Sequence, residues 1–288
     1  MEQHYGHHRT HETYKLLRKI SGSWQPKMAS IRNKDGKMPQ DKEEIKNRWT
    51  EYCRTLYQNP DTNEDTVFEL ERLAPPPLED KNDSILYEEV VAAIKQFKPR
   101  KSTGTDEIAG EMIQAGGEVL AREIHSLCDR VWREGQIPEE WTRSVLVIIP
   151  KKGDMTECSN YRTIALLNHM CKVLMMVLLG RLKTQVEPYL AEEQAGLRRD
   201  RSTTQQILML RLIAEKAHRK ATPVYNCFVD FQKAFDSIKH DIIQATFKSY
   251  RVGKTLTTLL YRMLKQATAA VRVGGELGAW FEVTVGSR

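Results

Sequence analysis

The chain has 288 residues, of which 40% are hydrophobic, and carries a formal net charge of +6 at pH 7. That is enough apolar material for a sizeable core in one or two domains, and no apolar run reaches the roughly 18 residues of a membrane-spanning helix. The surplus of Lys and Arg favours a polyanionic partner, nucleic acid before membrane. Five cysteines without close spacing argue against a zinc site or a disulfide framework and for reducing surroundings, and no apolar leader marks the chain for secretion.

Residues 1–80 read as a polar, partly helical linker region. His4, His7, His8 and His11 have the spacing of metal ligands, but a terminal tract without acidic or cysteine partners reads more simply as an unstructured arm. Asp35-Gly36 marks a turn. Asp41 and Glu44 would cap a helix whose apolar face is Ile45, Trp49, Tyr52 and Leu56, and the proline run from Leu73 to Leu78 is an extended connector.

Residues 81–222 have regular periodicity. Val90, Ile94 and Phe97 mark one helix, and Leu120, Ile124, Leu127 and Val131 mark a second that Gly135 ends. Between them, Lys98 to Asp106 is a basic loop that can grip phosphates or simply be a solvated turn before a capped helix. Val145 to Ile149 is a continuous apolar run of strand length, closed by Pro150-Lys151-Lys152-Gly153-Asp154 and followed by Asn160-Tyr161-Arg162. That order suggests a hairpin presenting cations to a triphosphate or a nucleic-acid backbone, without the spacing of a P-loop. Met170 through Leu182 carries a wide apolar face, expected to be core. Arg198, Arg199 and Arg201 cluster before Ser202-Thr203-Thr204-Gln205, a capping box that opens a helix through Ile207, Leu210 and Ile213. The three arginines suit contact with nucleic-acid backbone or a solvated loop equally well.

Residues 223–288 hold the most informative stretch. Val224 to Phe228 is rich in β-branched and aromatic residues and reads as a buried strand, and Asp230 at its end is costly to desolvate unless it meets a cation. Asp230 is therefore a candidate metal ligand, although carboxylates at such turns also serve as caps, as Asp236 would. Beyond two further helical segments, Val271 and Val273 are expected to face Phe281, Val283 and Val285 across Gly274-Gly275 as a terminal β-ribbon.

Five segments occur in one familiar order: Lys101-Ser102-Thr103-Gly104-Thr105-Asp106, Ile149 to Asp154, Asn160 to Leu167, Gln194-Ala195-Gly196-Leu197-Arg198, and Phe228 to Asp236. In these the chain resembles the reverse transcriptases of non-LTR, LINE-like retrotransposons, from about Tyr14 to Arg288. The resemblance implies an α+β fold, an incomplete right-hand polymerase with mostly helical fingers (81–222), a few strands and the first palm strand (223–288). It implies two-metal nucleotidyl transfer with Mg²⁺, in which Asp230 and the Phe231 carbonyl are metal ligands. Lys151 and Arg162 would contact the incoming triphosphate, Phe235 would collide with a ribose 2′-hydroxyl, and Lys101, Arg198, Arg199 and Arg201 would hold nucleic acid. The implied partners are an RNA template, a DNA primer and a dNTP, with no membrane.

The sequence also departs from the family pattern. Thr103, Thr105 and Thr163 stand where the family usually has Pro, Leu197 where it has an aromatic, and Asp200 where it has Gly. No Asp-Asp pair occurs anywhere in the 288 residues, so the second metal-binding carboxylates are missing from this stretch. The expectation is a reverse transcriptase-like protein truncated before that pair and inactive alone; a non-enzymatic nucleic-acid-binding remnant is the alternative.

Overall fold

A computed structural model describes residues 31–39, 41–58, 64–76 and 84–286. The expectations for His4, His7, His8 and His11, and for the Pro77-Leu78 end of the connector, fall outside these residues.

The described elements run in chain order as α1 (Lys42–Tyr57), α2 (Glu64–Leu73), α3 (Tyr87–Lys95), α4 (Gly110–Ala115), α5 (Gly117–Glu134), α6 (Glu139–Thr142), β1 (Arg143–Pro150), β2 (Tyr161–Leu166), α7 (His169–Val186), α8 (Thr203–Arg219), α9 (Ala234–Ser237), α10 (His240–Ser249), α11 (Lys254–Lys265), β3 (Thr268–Val273), β4 (Glu276–Leu277) and β5 (Phe281–Glu282). The mixture of helix and sheet is the expected α+β class.

The β1–β2 hairpin is antiparallel, with Ile149 opposite Arg162 and Pro150 opposite Tyr161. On its other edge β1 pairs in parallel with β3, Arg143 opposite Thr268 through Val147 opposite Arg272. The strand order is β2-β1-β3-β4, with β5 also on β3. The Gly274-Gly275 turn joins β3 to β4, both glycines at positive φ (59° and 92°), as a tight hairpin requires.

Alternation along β3 decides what each face meets. Ala269, Val271 and Val273 point to one side, where α1 lays Ile45, Trp49, Cys53 and Tyr57 against them with Leu146, Tyr161, Phe281 and Val283. A second core is helical: α3, α5, α7 and α11 bury Val90, Ile94, Ile124, Val131, Leu174, Leu178 and Leu256 among themselves. Helix α5 ends as its sequence says, at Gly135 in the left-handed region (φ 67°). The two cores tie together segments from all three expected regions, since α1, β1 and β3 share one apolar layer.

An ion pair crosses the helical core. The Arg181 guanidinium donates to both oxygens of Glu89 (2.9 and 2.6 Å) and lies over the Trp132 ring at 4.6 Å. Burial pushes the Glu89 carboxyl up, but the Arg181 guanidinium and the Leu86 amide outweigh it and hold the group below the usual carboxylate range.

Candidate nucleotide site

The β1–β2 hairpin fixes two of the expected cations. Lys151 follows β1 directly, its amide donating to the Asn160 carbonyl (2.8 Å), and Arg162 is the second residue of β2. The loop between them is closed by Asp154, whose carboxylate accepts from the Thr156 amide and hydroxyl (2.9 and 2.8 Å). Gly153 sits at φ 123°, a conformation that other residues rarely adopt.

Facing this hairpin is the short turn of α9. It is entered through Lys233 in the left-handed region (φ 50°) and carries Ala234, Phe235 and Asp236. Helix α1 supplies the wall between hairpin and turn. Trp49 packs edge-on against Tyr52 and Tyr161, with centroids at 6.0 and 4.9 Å. The Tyr57 hydroxyl lies 2.5 Å from Thr163 Oγ1 and donates to Asp236 Oδ1 (3.0 Å). The Lys233 ammonium donates to the Tyr52 hydroxyl (2.5 Å) and sits 4.9 Å from the ring centroid.

The result is a cavity of about 320 Å³ whose lining includes Lys151, Arg162, Lys233, Phe235, Asp236 and Tyr52. Three cations oppose one carboxylate there, so the site favours an anion, and its aromatic walls suit a flat or ring-shaped group beside that anion. Burial, with the Asp236 carboxylate nearby, pushes the Tyr57 hydroxyl above the usual tyrosine range, which keeps it a proton donor to Asp236. Burial likewise pushes the adjacent Cys53 thiol up to about 12, so it stays neutral under the site.

Three of the expected residues, Lys151, Arg162 and Phe235, thus meet in one place. Lys233, Tyr52 and Tyr57 were not among them. Their hydrogen bonds span 181 residues from Tyr52 to Lys233 and 179 from Tyr57 to Asp236, and no local pattern reports a contact of that range.

Asp230 and Phe231 lie outside the cavity lining, on an exposed stretch. The expected buried strand at 224–228 is not formed: residues 223–231 are irregular and exposed, with Tyr225 at 93% and Phe228 at 81% of full exposure. The physical reason is partnership. Strand propensity measures the fit of a side chain to a pleated, half-buried surface, and among the described strands none pairs with this stretch. Nor do the described residues include a group of three His, Cys, Asp or Glu placed to hold a metal ion. One exposed carboxylate does not suit a two-metal centre, so no step through a metal follows from these residues.

The basic residues divide. Lys101 is exposed on a loop pinned at Gly104, where an added Cβ would lie 2.1 Å from Asn168 Oδ1. That same oxygen accepts from the Thr105 amide (2.9 Å). The Arg198 side chain is only 8% exposed and binds Glu187 (3.0 and 2.6 Å) and the Ala191 carbonyl (2.7 Å). Arg201 pairs with Glu192. Arg199 is 95% exposed, 3.6 Å from Asp200.

Residues 149–286 match the reverse transcriptase (RNA-dependent DNA polymerase) family. That stretch, just under half of the chain, is reverse transcriptase-like. The chain's similarity extends upstream of that match. The transposon TX1 uncharacterized 149 kDa protein of Xenopus laevis is 24% identical over 85% of this chain. The Pol polyprotein from the type-1 retrotransposable element R2 of Popillia japonica is 28% identical over 66%, and the RNA-directed DNA polymerase from the mobile element jockey of Drosophila funebris is 25% identical over 64%. The matched stretches make up 19%, 26% and 20% of those relatives, so this chain corresponds to about a fifth to a quarter of each. The cavity draws on both sides of residue 149, since Trp49, Tyr52 and Leu56 line it beside Lys151 and Arg162.

Proposed function

We propose that the cavity binds the incoming deoxynucleoside triphosphate of RNA-directed DNA synthesis on a primed RNA template. The carrying observation is the convergence of Lys151, Arg162 and Lys233 with Phe235 around one space of about 320 Å³. The three cations face the phosphates. An ammonium has three donors, so Lys233 can keep its bond to Tyr52 and still offer two. Phe235 stands against the sugar, where a 2′-hydroxyl would collide with its ring.

In this reading Lys101, Arg199 and Arg201 meet the nucleic-acid backbone, while Arg198 shapes the loop that presents them. Asp230 and the Phe231 carbonyl are assigned in this reading to the metal side of the reaction centre, where Asp230 alone does not make the two-cation site that Mg²⁺-dependent transfer requires. The chain's own contribution is to bind the triphosphate, orient the sugar and keep Tyr57 protonated beside Asp236.

Titration of the 288-residue chain with dATP, read by tryptophan fluorescence, tests this. Replacing Lys151, Arg162 or Lys233 with Ala should each weaken binding about ten-fold, the size of one charge-assisted hydrogen bond, and inorganic triphosphate should compete. Binding that none of the three substitutions alters would reject the assignment.

A further inference from the structure

Helix α1 lies upstream of the family match at residues 149–286, yet it grips both ends of the turn that carries Phe235. Tyr52 holds Lys233, immediately before the turn, and Tyr57, five positions further along the same helix, holds Asp236, immediately after Phe235. Within the turn the Asp236 amide donates to the Lys233 carbonyl (2.9 Å) and the Ser237 hydroxyl donates back to the Lys233 and Ala234 carbonyls (3.2 Å each), so its internal bonds close the loop and the tyrosines tie it to α1. The turn is four residues long and starts from a left-handed lysine.

Tyr57 also works from behind. Its backbone carbonyl accepts from the amides of Thr284 (2.9 Å) and Val285 (3.2 Å), and the next residue, Gly286, backs directly onto the turn. A Cβ at Gly286 would come within 3.2 Å of the Asp236 carbonyl and 3.3 Å of the Phe235 carbonyl, and its φ of 94° is left-handed. One residue of α1 therefore fixes the turn through its hydroxyl and fixes the segment packed beneath the turn through its main chain.

We propose that α1 is a two-point clamp that sets the position of Phe235, which makes Tyr52 and Tyr57 positioning residues for sugar discrimination. The inference rests on the nucleotide reading of the cavity and adds to it a control outside the catalytic segment. A sugar gate acts only if its ring cannot retreat from a 2′-hydroxyl. The two tyrosines add to that resistance, because Phe235, a residue 63% exposed, is flanked by the residues they tether. Asp236, which reads from sequence as a helix cap, is in this arrangement an anchor.

The test uses the 288-residue chain on a primed RNA template whose next base is U, with equilibrium affinities for dATP and ATP in Mg²⁺. Tyr57→Phe keeps the ring and removes only the hydroxyl. It should lower the preference for dATP over ATP about five-fold, the size of one net hydrogen bond. Tyr52→Phe should lower it in the same direction and supplies the second arm should Tyr57→Phe fold poorly. In a Phe235→Ala background, where the preference is already lost, Tyr57→Phe should change it no further. A wild-type preference in both single tyrosine variants overturns the clamp, as does an equal drop with and without Phe235, because a merely structural role would lower stability without passing through that ring. If wild-type chain binds dATP and ATP equally, Phe235 is no gate and the clamp has nothing to position. If it binds neither, the nucleotide reading itself falls and the clamp with it.

Discussion

Strand β1 and the stretch 224–229 both read as buried strands from sequence, Ser-Val-Leu-Val-Ile-Ile and Val-Tyr-Asn-Cys-Phe-Val, and have opposite fates. The first is a central strand with β2 on one edge and β3 on the other, and Val145 is fully buried. The second is irregular, and Val229 is 72% exposed. Helix α8 repeats the lesson: its capping box forms as the sequence dictates, with Ser202 and Gln205 exchanging bonds of 3.3 and 3.0 Å, yet none of its residues is buried. Local chemistry decides whether an element can start. Neighbours decide whether it is buried.

The comparison sharpens most at Gly104, a polar loop position that is nevertheless fixed. Gly104→Ala should cost about 3 kcal/mol in denaturant unfolding, because its Cβ would fall 2.6 Å from the Asn168 main-chain nitrogen, which cannot swing aside. A loss below about 0.5 kcal/mol would show the loop to be mobile.

Identical substitutions in the two apolar stretches come next. Val145→Ala should destabilise by about 2 kcal/mol and Val229→Ala by less than about 0.5, measured the same way. Equal losses would mean that 224–229 is packed in solution and would break the contrast.

Charge allows the same comparison. Glu89 titrates below the ordinary glutamate value in the fold, so its contribution is fully present above that value and is lost as pH falls through the depressed folded-state pKa. Stability of Glu89→Gln should accordingly fall less steeply than wild type in that acid window, and parallel curves would remove the Arg181 pair from the account.

The smallest effect is expected at the exposed arginine. Arg199→Ala should leave stability within about 0.5 kcal/mol and reduce the slope of log affinity for nucleic acid against log salt by about one. Arg198→Ala should do the reverse, since its guanidinium is spent on Glu187 and main-chain carbonyls.

Much of the local structure was legible. Periodicity placed α5 and α7, and the Lys151 to Arg162 hairpin was read from an apolar run followed by a basic turn; the glycine pair marked a turn after β3, but the strand it leads into is Glu276–Leu277, and Phe281 pairs with Ala269 rather than facing Val271 and Val273. What escaped was long-range. Nothing in Arg143 to Val147 announces a parallel partner at Thr268 to Arg272, and nothing in Trp49, Tyr52 and Leu56 beyond an apolar helical face announces a wall of the cavity. The misread strand at 224–228 has the same origin, because composition records a preference for burial and is silent about the surface that would provide it.

The parallel pairing of β1 with β3 also sets an order in time. The β1–β2 hairpin closes over a short loop and can form as soon as Leu166 has emerged during synthesis, whereas β3 follows Pro150 only after roughly 120 residues, about 6–24 s later at ~5–20 residues per second. For that interval one edge of an apolar strand waits open on the ribosome. The nascent chain is then open to strand-to-strand association with its neighbours, and a chaperone that covers β1 until Thr268 appears would guard the longest-range pairing of the sheet.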